Sequence, residues 1–588
     1  MFGEDSDEEF EPFTAEEVAA AEEELQRYRR EHVLFEDDFD CSDSELELVP
    51  RARRSGNGVV NTARSYSRQA YADDWLRPFD ERTGPLLHSE NDDGGEIFSH
   101  FFDAEVFALL TDETNRYAEQ YFDVHPVAEL LHRSRLRDWS GVTVADMRAF
   151  IAIILIMGEY PRDSYAEYWT TVVWAEMPGF RAIMSRDRFL LILTFFHVSN
   201  NEEAIPRGQP GHRRTFKIDG LTGMLLDRWQ KAYYPGRDVS VDEMMIAFKG
   251  RCQFIVYHPQ KPHKWGLQAW TLSDSRTGYV YNYKLYAGRD PDPPPENLPQ
   301  AHNAVLRSAG PILVKGHHVY MDNFFSSPSL FDDLASQQTG ACGTLRINRQ
   351  GVPPLIKATK LKKGQPQVVV RDGLKLYISW FDKKQVNLVT TVHNDQVMEK
   401  TVRARGQPEH RRTIQKPCAI QLYTDNMRGV DLIDQKISYS LHTHKSLKWW
   451  KKMFMVLLEI SVRHSHIIHR HFHSQVSAKK VRASIVSSLL HGYQKTTVYK
   501  HRPPVDPPLR LTERHWPEPS PEITQGGRST SRDCIVCSDR SKKRCQTKSR
   551  CHQCGYAMCV WPCWMRYHTL VDYKADCSKE YHQPSGTS

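Results

Sequence analysis

At 588 residues, 11% of them aromatic and 26% charged, the chain is too long for one hydrophobic core and predicts three to five domains. Its formal net charge of +5 hides an asymmetry: residues 1–49 carry nineteen Asp and Glu against three Arg, or −16, which leaves +21 for the rest. A basic body behind an acidic tail suits a polyanion partner, and the longest apolar run, Phe150 to Met157, is too short to span a bilayer.

The acidic N-terminus shows no basic stretch ahead of an apolar core, so no secretory signal is expected and the setting is read as intracellular and free of membrane. Residues 1–95, rich in Glu, Asp, Ser and Arg, are expected to be mostly disordered. Within them Ala15 to Arg30 could form a charged helix, and Arg51, Arg53 and Arg54 make a small basic cluster that would suit a nuclear address. Helical periodicity then takes over and predicts a helical domain over 96–236. Phe102, Val106, Phe107, Leu109 and Leu110 share one face, Thr143 caps an apolar helix running to Met157, and Ser185–Phe196 and Leu221–Tyr233 read as two more helices.

Strand signals begin near residue 239. Val239–Val241, Leu267–Leu272, Tyr279–Tyr286 and His318–Met321 are β-rich, with helices expected at Ala301–Ser308 and Pro328–Gln337. Two of these strands are expected to end in an acid, Asp242 and Asp322. Carboxylates brought together by a rigid sheet repel one another unless a divalent metal neutralises them, an arrangement suited to phosphoryl transfer on nucleic acid. The pattern predicts a mixed α/β core over 237–349, a β-rich insertion over 350–410, and a return to the core over 411–436. In a helix beginning at Met427–Gly429, Asp431 and Asp434 lie three apart and share a face. A helical region over 437–501 follows, in which Leu447–Phe472 is one long amphipathic helix opening on Trp449, Trp450, Lys451 and Lys452, a mixture of rings and ammonium groups that suits nucleic acid. Residues 502–530 read as a linker.

Eight of the twelve cysteines fall between Cys534 and Cys577, a metal-site distribution rather than a disulfide framework. Cys534, Cys537, Cys551, Cys554, Cys559, Cys563 and His568 supply seven soft ligands, enough with one more for two tetrahedral zinc ions in a domain over 531–580. The spacing favours interleaving, with Cys534 and Cys537 sharing one zinc with a later pair while Cys551 and Cys554 use the other. The eighth ligand is left open among Cys545, Cys577 and His515. Lys542, Lys543, Arg544, Lys548 and Arg550 between the pairs give this end a basic surface suited to DNA.

Taken together, the chain resembles the piggyBac family of DNA transposases. The motifs that carry the likeness are Val241-Asp242-Glu243 with Phe248-Lys249-Gly250-Arg251, Met321-Asp322-Asn323-Phe324-Phe325, Gly343-Thr344-Leu345-Arg346-Ile347-Asn348-Arg349, Arg428-Gly429-Val430-Asp431-Leu432-Ile433-Asp434-Gln435 and Cys563-Trp564-Met565-Arg566-Tyr567-His568. The resemblance implies a multidomain α/β fold: an RNase H-like catalytic core interrupted by the insertion, flanked by helical DNA-binding and dimerisation regions and closed by the two-zinc domain. It implies that Asp242, Asp322 and Asp431 hold two Mg2+ ions, with Asp434 as a further acid. DNA contacts are expected from Arg251, Lys261, Lys264, Arg346, Arg349, Trp449, Lys451 and Lys452. The implied activity is cut-and-paste transposition at TTAA through hairpin intermediates, by a nuclear homodimer acting on terminal inverted repeats and target duplex DNA. Arg428 stands where the family has a second Gly before the Val-Asp, which puts the local backbone in question.

Overall fold

The computed structural model describes residues 75–87, 93–130, 134–250, 252–258, 264–288, 298–403, 411–442, 444, 448–494, 515–520, 530–539, 544–570 and 573–574. Of the region 1–95 expected to be disordered, residues 1–74 and 88–92 lie outside these residues, as do the Arg51–Arg54 cluster, most of the 502–530 linker, and Arg251, Lys261, Lys542, Lys543 and Cys577. Its described part is ordered instead: Gly84 and Pro85 pair with Tyr234 and Tyr233, and a short helix begins at Gly94.

The longer helices ahead of the sheet, among the described residues, are α1 (Ala104–Val124), α2 (Val144–Glu159), α3 (Arg186–Phe195) and α4 (Phe216–Ala232). Helix α2 starts in a capping box. The Thr143 hydroxyl accepts the Asp146 N–H at 3.1 Å and the Asp146 carboxylate accepts the Thr143 N–H at 3.3 Å, so two otherwise orphaned donors are satisfied. From Phe150 to Leu155 every side chain of this helix is buried, so its apolar run is a core helix.

A nine-stranded sheet follows. Strand β1 (Asp238–Ala247) pairs antiparallel with β2 (Trp265–Asp274), which pairs antiparallel with β3 (Val280–Leu285). After helix α5 (Gln300–Ala309), β4 (His318–Met321) returns parallel to β1. After α6 (Pro328–Ser336), β5 (Gly340–Thr344) lies parallel to β4. The two parallel connections each carry a helix, as a crossover between parallel strands requires.

The strands expected as an inserted β module do not stand apart from this sheet. Strands β6 (Val368–Asp372), β7 (Lys375–Phe381) and β8 (Gln385–Thr390) form an antiparallel meander, and β8 pairs with β5 through Leu388↔Thr344 and Thr390↔Cys342. Tyr377, Ile378, Leu388 and Val389 are buried, which makes the meander a continuation of the core. The hairpin that follows, β9 (Val397–Arg403) with β10 (Arg411–Pro417), is a separate two-stranded ribbon. Ile420–Thr424 belongs to helix α7 (Cys418–Asn426), where Ala419, Ile420 and Tyr423 recur at helical spacing against the sheet.

Side-chain alternation along β1 assigns the two faces of the sheet. Val239 and Val241 pack with α5 and α6 on one face. Met244 and Ile246 pack on the other with α8 (Gly429–Ser438), α9 (Trp449–Phe472) and the N-terminal helices. Helix α10 (Ala478–Leu490) completes that second layer, tied in by Arg482, which is 3% exposed and paired with Glu459. The helices before the sheet and those after it therefore form one core. Among the described residues, no helix is long and apolar enough to cross a membrane.

Candidate active site and metal cages

Asp242 is not at the end of its strand, as the short Val239–Val241 signal suggested, but in the middle of the ten-residue β1. The polar Ser240, Asp242 and Glu243 masked the strand because their neighbours across the sheet, not their own hydrophobicity, hold them in it. Asp322 does follow directly on its strand. Parallel pairing sets Val241 opposite Met321, so Asp242 and Asp322 are the next residues along two adjacent strands.

Asp322 is fixed by the turn that follows. Its Oδ1 accepts the Phe324 N–H at 2.8 Å, while the Ser326 hydroxyl and N–H return to its carbonyl at 2.9 and 3.1 Å. Asp431 arrives from above on the first turn of α8, whose Val430, Ile433 and Ile437 are buried against the sheet. The seating is tight at Gly429: a β-carbon there would stand 2.5 Å from the Ser240 Oγ and 2.8 Å from the Asp274 carbonyl. The uncertainty over Arg428 is thereby settled locally. It has φ −79° and ψ 1°, a backbone open to any residue, so the glycine that the close approach needs is Gly429.

The electrostatics agree with this placement. Asp242 is held well above the ordinary carboxylate value by its burial first, then by the charges of Glu243, Asp322 and Asp431. Tyr423 of α7, whose hydroxyl lies 3.3 Å from that of Thr344, borders the same cluster. Its phenol is pushed up by burial, and the Asp322 and Asp242 charges act in the same direction. Asp434, one turn along α8, adds its charge to the burial that raises the Tyr283 phenol on β3. Glu243 and Tyr423 were not singled out from the sequence; the first was legible only as the neighbour of Asp242, the second only through the sheet. Three acids from two strands and a helix make a hard-oxygen donor set suited to Mg2+ or a similar divalent ion.

The basic candidates differ in how they are used. Arg346 donates from Nε to the Asn323 side chain at 3.0 Å, and Arg349 donates to the Phe324 carbonyl, so both brace the loop after Asp322. Lys264 is exposed at the start of β2. Trp449 is half-buried with its ring edge-on to Phe254 at 5.0 Å, whereas Trp450 is buried against Phe196 and His197. Lys451 is half-buried, donates to the Leu193 carbonyl at 2.5 Å, and is lowered to about 8 by burial and Lys448. Its ammonium therefore already has a partner inside the protein. Lys452 is half-buried on the same turn.

At the C-terminal end two four-residue cages form around helix α11 (Cys563–Thr569). Cys534, Cys537, Cys559 and Cys563 make one; His515, Cys551, Cys554 and His568 make the other; the ligand atoms of each lie within 4.8 Å of one another. The pairs interleave as their spacing suggested, and His515 takes the eighth place. It is delivered by the pairing of Pro517–Pro519 with Ser549–Cys551, and its Nδ1 lies 3.3 Å from Cys554 Sγ. The Cys537–Cys559 separation of 3.8 Å matches a cage edge of about 3.8 Å for a tetrahedral ion with sulfur ligands at about 2.3 Å. The expected basic surface is partly neutralised, since Arg544 pairs with Asp533 and Arg550 with Glu518.

Comparison with known proteins accords with this geometry. The family model described as Transposase IS4 matches residues 93–466, a span that includes the three aspartates. The human protein named PiggyBac transposable element-derived protein 3 is 24% identical over 484 residues, covering 81% of this chain and 76% of its own. The human PiggyBac transposable element-derived protein 2 is 24% identical over 454 residues, covering 74% of this chain and 72% of its own. Among solved structures, a piggyBac transposase synaptic complex with hairpin DNA shares the fold at a TM-score of 0.61 and 20% identity, over 82% of this chain and 98% of that one.

Proposed function

Because the chain belongs to the Transposase IS4 family, in its piggyBac-like branch, we propose that it is a cut-and-paste DNA transposase that cleaves and rejoins DNA at TTAA sites with Asp242, Asp322 and Asp431 as its catalytic acids. The observation that carries this reading is that Asp242 and Asp322 lie on adjacent strands and that the charges of Asp322 and Asp431 both oppose ionisation of Asp242. Divalent ions held there would stabilise charge on the oxygens entering and leaving phosphorus. Asp434 sits a turn further along α8 as a supporting acid.

The core is read as RNase H-like. The antiparallel meander β1–β3 followed by two helix-linked strands parallel to β1 supports that assignment. In the proposed reaction, water cleaves a transposon end and leaves a 3′-hydroxyl. That hydroxyl attacks the opposite strand, forming one phosphodiester as another breaks, and the resulting hairpin is reopened by water. The freed 3′ ends then attack target TTAA in the same manner. Arg346 and Arg349 hold the Asp322 loop in place while their exposed edges face the DNA. Trp449 offers a ring to an unstacked base and Lys264 a phosphate contact. Arg251, Lys261 and Lys452 are further DNA contacts in this reading.

The cysteine-rich end would bind two zinc ions and recognise the terminal repeats. Two transposon ends call for two active sites, hence a homodimer, working in the nucleus. The test is plasmid excision in cells, with a donor flanked by the element's own ends and TTAA. Scarless rejoining by the natural chain and none by Asp322→Asn is expected. Terminal-repeat binding without excision by the natural chain would instead mark a DNA-binding protein that keeps the fold and has lost the reaction.

A further inference from the structure

Five sulfurs meet where four saturate a tetrahedral ion. Cys534, Cys537, Cys559 and Cys563 complete one cage. Cys545 stands outside that set, yet its Sγ is 3.9 Å from Cys559 Sγ, against 3.8 Å for the cage edge from Cys537 to Cys559. Its place is fixed by the backbone. The Cys534 N–H donates to the Cys545 carbonyl at 2.9 Å, and the Cys545 N–H donates to the Ser538 hydroxyl at 3.1 Å. The pairing of Arg532–Asp533 with Gln546–Thr547 continues directly from it. The fifth sulfur is therefore held against the cage rather than carried past it on a free loop. It is only half-buried, so a small oxidant can reach it.

A thiol beside a second sulfur is poised for the two-step chemistry by which cysteines form disulfides under peroxide. We propose that Cys545 is a peroxide-reactive thiol, and that its oxidation to a disulfide with Cys559 opens the four-cysteine cage and releases its zinc. This inference rests on the zinc reading of that cage. In the first step hydrogen peroxide oxidises the Cys545 thiol to a sulfenic acid and is itself reduced to water. In the second the Cys559 sulfur attacks the Cys545 sulfur, the S–S bond forms, the S–O bond breaks, and the oxygen leaves as a second water after taking up a proton. Two thiols have then lost two electrons to one peroxide. The ion keeps three sulfurs, and because the folding of such a module depends on its metal, its grip on DNA is lost with the ion.

The experiment uses the full-length, zinc-loaded protein. Metal analysis before treatment must give two zinc ions per chain in both the natural protein and Cys545→Ser. Hydrogen peroxide is then added, zinc release is followed with a chromogenic chelator, and disulfides are mapped by tryptic digestion. The natural chain is expected to release one zinc of the two and yield a Cys545–Cys559 linked peptide, while Cys545→Ser releases zinc about tenfold more slowly and yields no such peptide. Equal release rates, or a disulfide confined to the four cage cysteines, would overturn the proposal. So would one zinc fewer in untreated Cys545→Ser, which would make Cys545 a ligand. Absence of zinc from the untreated natural chain would instead strike at the zinc reading itself.

Discussion

Gly429 approaches Ser240 so closely that a β-carbon on the glycine would lie 2.5 Å from the serine Oγ, with the Asp274 carbonyl at 2.8 Å behind it. That contact sets the height of α8, and so of Asp431, above the strand that carries Asp242. Gly429→Ala must lift the helix, because a backbone carbonyl cannot turn aside as a long side chain can. We expect a stability loss of about 1–3 kcal/mol, in the range of core overpacking. DNA cleavage should fall about a hundredfold from the misplaced carboxylate. Arg428→Gly, which restores the residue common in the family, should leave cleavage within about twofold, because Arg428 already has an ordinary backbone conformation. Equal cleavage by Gly429→Ala and the natural chain would show that the approach is not what positions Asp431.

Asp242 yields a prediction about metal and pH. Burial and three neighbouring acids raise its folded value above the 3.8 of an unperturbed carboxyl. The protonated form is thus favoured by folding: its contribution is complete below the unfolded value and is lost as pH rises through the raised folded one. Without metal, the cost of ionising this buried carboxyl beside other acids counts against the fold as pH rises. Asp242→Asn should therefore raise the metal-free melting temperature, by roughly 2–4 °C per kcal/mol of repulsion removed, and abolish cleavage. Mg2+ should stabilise the natural chain at pH 7.5 and do much less for the variant. Melting curves with EDTA and with Mg2+, from pH 5 to 8, decide this; equal responses to Mg2+ would remove Asp242 from the metal site.

What the sequence made legible follows from how local each signal was. The strand before Asp322 and the capped start of α2 are written in consecutive residues, and both were readable. The central position of Asp242 was not, because Ser240 to Glu243 look like a strand end until β2 and β4 are seen pairing on both sides. The same blindness to pairing made β6–β8 look like a separate module, although Leu388↔Thr344 joins them to the main sheet. The sequence pointed to Lys451 as a phosphate contact, whereas the packing of α9 against the Leu193 carbonyl turns it inward. His515, thirty-six residues ahead of Cys551, could be no more than one of three candidates until a two-strand pairing carried it to the cage.

Asp274, which no motif marks, is expected to position the active site without touching substrate. It is 3% exposed, and its carboxylate accepts from Gly236 N at 2.7 Å, Arg276 N at 3.0 Å, Thr277 N at 2.8 Å and Thr277 Oγ1 at 2.9 Å. These bonds shape the β2–β3 turn, in which Gly278, at φ +75°, would bring a β-carbon to 3.1 Å from the Gly429 carbonyl. Asp274→Asn replaces an acceptor with a donor facing donors. The expected result is a Mg2+ requirement for cleavage raised about tenfold, with terminal-repeat binding held within about twofold. An unchanged Mg2+ requirement would reduce Asp274 to a fold-stabilising residue.

Trp449 and Trp450 should separate binding from folding. Trp450, 2% exposed against Phe196 and His197, is core, and Trp450→Ala should cost about 3–5 kcal/mol of stability. Trp449 keeps part of its ring open beside Phe254. Trp449→Ala should weaken DNA binding by about 1–3 kcal/mol, the range of one base–aromatic stack, with a smaller loss of stability. Fluorescence-anisotropy titration of labelled terminal-repeat DNA, beside chemical denaturation of each variant, makes the comparison. If Trp449→Ala binds DNA as the natural chain does, its ring serves packing alone.

His515 gives the sharpest test of how the two cages divide. With His568, Cys551 and Cys554 it completes the second cage, while the first is built wholly from cysteines. Removing one of four ligands leaves a three-ligand site, whose affinity for a structural ion drops steeply, but the other cage shares no ligand with it. His515→Ala in the full-length protein should therefore fall from two zinc ions per chain to one after dialysis against a mild chelator. Cys563→Ser, which strikes the other cage, should also retain one, and the double variant none. Zinc-site absorption after cobalt exchange would tell the survivors apart, because sulfur-to-metal charge transfer scales with the thiolates present: four in the cage left by His515→Ala, two in that left by Cys563→Ser. Retention of both ions by His515→Ala would return the eighth ligand to Cys545 or Cys577.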